Sequence, residues 1–124
     1  MTQLEIERFA GFAPESVAFL RSLADDKCNN REWFESHRAD YQSHILEPLR
    51  SLVQELGLFM LSLDPYLDVT PAMNHTISRI HRDTRFSRDK SPYRRCMWIT
   101  FKRPSADWKD RPCFFFEIGR ESYR

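Results

Sequence analysis

Between Asn29 and Asp64 apolar side chains recur at helical spacing: Phe34, Tyr41, Ile45, Leu49, Leu52, Val53, Leu56, Phe59, Met60 and Leu63 hold one face. A stripe that long needs a second apolar layer to cover it, so the chain must fold around at least one amphipathic helical element. Pro48 lies inside the stripe. Proline lacks a backbone N–H and its ring clashes with the preceding turn. The helical pattern over about 30–63 is therefore expected to kink or break near Leu46-Glu47 and to restart at Pro48. Upstream, Pro14 suits a first helical position, and Val17, Leu20, Leu23 and Ala24 follow at helical spacing, which predicts a helix over about 14–26. Asn29 with Glu32 three residues later resembles a capping box and marks the start of the second helix.

After Pro71 the period changes. Residues 95–101 and 112–118 are short, aromatic and β-branched, as strands are, and the polar stretch between them carries Pro104. They read as a hairpin with a long loop, and Thr76–His81 as a further strand. Helices first and a small sheet second make an α+β fold. The 124 residues, 41% hydrophobic and 14% aromatic, fit one domain over 1–124. Phe114-Phe115-Phe116 must place a ring on each face of the sheet. If 112–118 forms an edge strand, self-association through it is expected.

Several classes are argued against. Met1–Glu7 shows no basic stretch followed by an apolar one, which favours a cytoplasmic location. The longest apolar run, Leu56–Leu63, is broken by Gly57 and Ser62 and falls far short of the roughly 20 residues of a membrane span. Cys28, Cys96 and Cys113 form no C-x-x-C pair and are expected to be free thiols. His37 and His44 with Asp40 share a helix face, but no H-E-x-x-H pattern or cysteine partner supports them, so no metal and no cofactor is expected. Glycine-rich phosphate loops and a G-x-S-x-G elbow are absent from the sequence.

The small formal net charge of +1 hides a strong asymmetry. Residues 1–78 carry six Lys/Arg against twelve Asp/Glu, whereas residues 79–103 carry nine against two. Arginine recurs at positions 79, 82, 85 and 88, a spacing of three that matches neither a strand face nor a sustained helical stripe. Segment 79–95 therefore reads as part extended and part loop. Guanidinium forks fit phosphate and carboxylate two bonds at a time. An anion-binding site is expected from Arg79, Arg82, Arg85, Arg88, Lys90 and Arg94, with Asp83 and Asp89 orienting the arginines and Tyr93 beside them. Three alternatives stand next to it. The arginines can pair with the acidic helical half and serve structure alone. A nucleic acid would require the basic block to be exposed with Trp98, Trp108 or Phe86 beside it. Catalysis would require His81 to meet Asp83 or Asp89 in a cleft.

Taken together, Phe19-Leu20-x-x-Leu23, Asn29–Phe34, His37-Arg38-x-x-Tyr41, Pro48 and the run Ser78–Tyr93 (S-R-I-H-R-D-T-R-F-S-R-D-K-S-P-Y) resemble the conserved hypothetical proteins grouped as domain of unknown function 2461. The likeness spans nearly the whole chain. It implies a longer α+β protein that continues past Phe116-Glu117-Ile118, of which these residues are an N-terminal part, and it implies no activity. Where relatives resemble P-Y-K, this chain has Pro92-Tyr93-Arg94, which replaces a point ammonium by a fork.

Overall fold

The structure, a computed structural model, describes Phe9, residues 11–104 and residues 113–119. Helix α1 spans Pro14–Leu23, with Pro14 in its first turn. It stops three residues before the expected end because Asp25 takes over the chain: its carboxylate accepts from the Lys27 N–H, and its carbonyl accepts from Cys28 and Asn29. Helix α2 spans Arg31–Ser36 and is capped by Asn30, whose Oδ1 accepts from the Trp33 N–H at 2.8 Å. The cap is thus Asn30 and not Asn29. Asn29 is buried instead, for a reason given below.

The second helical pattern is interrupted twice. His37 leaves the helical region at φ −117°, ψ 16°, and its Nδ1 meets the Trp33 carbonyl at 2.8 Å. Helix α3 then covers Arg38–Tyr41, a π-helical turn Gln42–Leu46, and helix α4 Glu47–Leu63. The π turn lies just where Pro48 demands an adjustment, with the Glu47 N–H reaching back to Gln42 O. Without an N–H, Pro48 offers nothing to the His44 carbonyl four residues earlier. The hydroxyl of Ser16, fully buried on α1, donates to that carbonyl instead.

Strands β1 (Met97–Phe101) and β2 (Phe114–Ile118) pair antiparallel, Ile99 opposite Phe116. The α+β class and the hairpin are as read from the sequence; each strand starts two residues later than expected, and 105–112 of the connecting loop lie outside the described residues. The expected strand at Thr76–His81 reduces to isolated bridges, of which Ile77 opposite Ile99 lies on the free edge of β1. Two hydrogen bonds flank it, Ser78 N–H to Trp98 O and Thr100 N–H to Thr76 O. Alternation does the rest: Met97, Ile99 and Phe101 point inward with Ile118 and meet Leu20, Leu23, Ile45, Leu49 and Val53 from the helices. The outer face carries Trp98 and Phe115, whose rings lie 6.5 Å apart, so the phenylalanine run does divide between faces. Cys28, Cys96 and Cys113 form no disulfide with one another. No described helix is long and apolar enough to cross a membrane.

Candidate functional site

The segment from Arg79 to Arg95 is a loop closed at its base by a narrow ladder. Arg94 N–H donates to Ile80 O at 2.8 Å and Arg82 N–H to Pro92 O at 2.9 Å, with His81 opposite Tyr93. Two buried apolar side chains, Ile80 and Tyr93, root it in the core, and the Tyr93 ring stacks on Phe34 at 4.2 Å. Burial raises the Tyr93 hydroxyl pKa. Asn29 fixes the base from the helical side. Its Nδ2 donates to the carbonyls of Leu23 and Tyr93, and its Oδ1 accepts from the Tyr93 N–H, so both a helix end and the loop are satisfied by one buried amide.

Inside the loop, the candidate arginines divide into two groups. Arg82, with 23% of its side chain exposed, donates to Ser91 O at 3.0 Å, reaches Asp89 O and Ser87 Oγ at 3.4 Å, and pairs with the Asp89 carboxylate at 3.3 Å. It stitches residues 87–91 together. Asp89 also accepts from the backbone N–H and the hydroxyl of Ser91, and Arg95 spans from Asp89 to Asp26. The Ser91 hydroxyl, and then its N–H, hold the Asp89 carboxyl below its usual range. Arg85 forms a fork on Asp83, at 3.0 and 2.9 Å, and this pairing lowers the Asp83 pKa and raises that of Arg85. Lys90 Nζ donates to Thr84 O at 2.7 Å.

Arg79, Arg88 and Arg94 form the second group. None of their guanidinium groups has a hydrogen-bond or ion-pair partner among the described residues. Arg94 lies over the Trp98 ring, 4.6 Å from its centroid, with its Nε buried and unsatisfied. Arg79 and Arg94 line an open groove of about 590 Å³ together with His81, Arg82, Asp83, Thr84 and Arg85. A smaller concavity of about 230 Å³ meets the groove at Arg82 and Arg94 and continues to Arg95 and Cys96. The summed charge is strongly positive: of the four arginines that line the groove, Arg82 and Arg85 have carboxylate partners, and Arg79 and Arg94 have none among the described residues.

Two sequence expectations meet this geometry at particular residues. Pairing with the acidic helical half accounts for Arg95 with Asp26 and for Arg103, whose fork meets Asp64 at 2.8 and 3.2 Å, but Arg82 and Arg85 pair within their own loop. His81 and Asp83 share the groove without a hydrogen bond between them among the described residues, because both Asp83 oxygens face Arg85. On the helical side, His37, Asp40 and His44 join Glu15 and Trp33 around a pocket of about 370 Å³. His44 lies 4.0 Å from Asp40, while His37 stacks on Trp33 and turns its Nδ1 to a carbonyl. No group of three or more His, Cys, Asp or Glu among the described residues is arranged to hold a metal.

Asn29 is the residue of this region that the sequence reading misplaced. Its signal was present as a pair of asparagines, only one of which can be the cap; the other is then free for a tertiary role. Compared with known families, residues 15–124 match the family described as Conserved hypothetical protein (DUF2461). No curated protein and no solved structure matches the chain.

Proposed function

Because the chain belongs to the conserved hypothetical family DUF2461, whose description names no activity, its chemistry has to be read from the groove, and we propose that this groove binds an anion through Arg79 and Arg94. The ligand group is a phosphate or a carboxylate, the two shapes a guanidinium fork fits. The observation that carries the reading is the division of labour among the arginines. Arg82 and Arg85 have carboxylate partners at the groove wall, whereas Arg79 and Arg94 face the same space with none among the described residues. Held cations without counter-charge repel one another when the site is empty, and a bound anion relieves that repulsion.

Thermal melting in inorganic phosphate tests this. A ligand at ten times its dissociation constant stabilises by about 1.4 kcal/mol, enough to raise the melting temperature by a few degrees. The parent chain is expected to show that rise at millimolar phosphate. Arg94→Ala and Arg79→Ala are expected to keep the parent's unliganded stability within about 1 kcal/mol and to lose the response. A parent chain indifferent to phosphate and to small carboxylates would leave the arginines as structure only.

A further inference from the structure

We infer that the anion taken by this groove is the backbone of a single-stranded nucleic acid, with phosphates along Arg79 and Arg94 and bases against exposed rings beside the groove. This rests on the anion-binding reading and adds the substrate class. The groove does not end at Arg79 and Arg94. Both arginines also line a second concavity of about 210 Å³, which runs over the outer sheet face past Ser78, Trp98, Thr100 and Lys102. At that end Phe115 is 56% exposed beside Trp98, and the Arg94 guanidinium lies over the indole. At the other end Thr84 and Arg85 line the wall, and Phe86 follows them with 94% of its surface exposed and the Arg85 guanidinium 5.6 Å from its ring.

Phe86 is the most exposed of the large apolar side chains among the described residues, yet the loop that carries it is tied down. Ser87 N–H bonds back to Thr84 O, Lys90 caps the same carbonyl, and Arg82 clasps the returning strand. A bare ring on a fixed support is a preformed stacking platform. A cationic track flanked by such platforms is the arrangement by which proteins hold single strands, since every base has a stackable face and every nucleotide a phosphate. A free phosphate or small carboxylate engages the arginines but gives Phe86 and Phe115 no role. A duplex hides its base faces.

The test is fluorescence anisotropy of a labelled twelve-nucleotide thymidine strand, alongside thymidine monophosphate, a duplex of equal length and inorganic phosphate. The strand is expected to bind at least tenfold more tightly than the mononucleotide or the duplex. With two phosphates neutralised, its affinity should fall with salt at a logarithmic slope of about −1.4. Phe86→Ala should weaken strand binding roughly tenfold. The same variant should leave the melting temperature and the phosphate response at parent values, because its ring contributes no burial. Strand binding unaffected by Phe86→Ala, or no tighter than the mononucleotide, would overturn the nucleic-acid assignment while the phosphate response still stood. Loss of the phosphate response in the parent would remove the anion site itself.

Discussion

From Pro14 to Leu63 order comes from burial, with Leu20, Leu23, Ile45, Leu49 and Val53 wholly withdrawn from water, whereas from Arg79 to Arg95 only Ile80 and Tyr93 are buried and polar side chains supply most of the order. The helical region is held by non-directional contacts that fail together. The loop is held by directional bonds that fail one at a time. A region of the second kind can present cations and a bare ring to solvent without drawing on the core, and it can be altered without unfolding the chain.

The sharpest way to break this contrast is to cut each region at its strongest point. Leu49→Ala removes a fully buried side chain where α4 meets the sheet and should cost about 2 to 5 kcal/mol, seen as an early, still cooperative transition in urea. Asn29→Ala strikes the joint between the regions. It leaves two carbonyls and one N–H without their partner and should cost about 3 kcal/mol, while Asn30→Ala, which removes a cap and a solvent-exposed bond to the Lys27 carbonyl, should cost about 1 kcal/mol. Equal effects from the two asparagines would mean the buried amide does not join helix to loop.

Within the loop the effects should be smaller and unequal. Arg82→Ala should cost about 2 kcal/mol and show first as faster amide exchange at Ser91 and Arg82, with the helical amides still protected. Arg85→Ala should leave the urea midpoint close to the parent value, since its pair with Asp83 is open to water, the Arg85 side chain being 76% exposed. The smallest change is with pH. Asp83 and Asp89 have lowered pKa values in the folded chain, so the unfolded chain binds their protons more readily. Their contribution is therefore complete above the unfolded value of about 4 and is lost as pH falls through the lower folded values. Loop amide resonances should shift below about pH 4 before the helices melt; helices that melt first would reverse the ranking of the two regions.

This same division decides what could be read from the sequence. Periodicity reports burial, so the helices, the hairpin and the α+β class were legible from Leu20, Leu49 or Ile99. Boundaries set by competing side-chain bonds were not. Asp25 ends α1 early, and His37 breaks the second helix at a position no period marks. The site was legible as composition, because arginine at every third position fits no regular element, but the roles within it were not. Asp83 lies next to two arginine-bearing turns, and only the fold decides that Arg85 takes it and that Arg79 does not. With three glycines in the chain, turns at Asp25, Asp64, Asp68, Asp83 and Asp89 are built by a carboxylate accepting the N–H two residues on. Making a turn does not stop an aspartate from serving as a counter-charge: Asp64 also meets Arg103, Asp83 meets Arg85, and Asp89 meets Arg82 and Arg95, a double use that no charge count conveys.

The hydroxyl of Ser16 on the carbonyl that Pro48 leaves vacant bears on what can be cut from this molecule and moved. An ordinary helix fills its interior hydrogen bonds within itself and leaves only its terminal groups to outside partners. Here one interior carbonyl is served from 28 residues away, so in a peptide of residues 38–63 that acceptor would pass from the Ser16 hydroxyl to water. The long helical stretch is thus not an autonomous unit, and any graft or circular rearrangement that keeps it must bring α1 along.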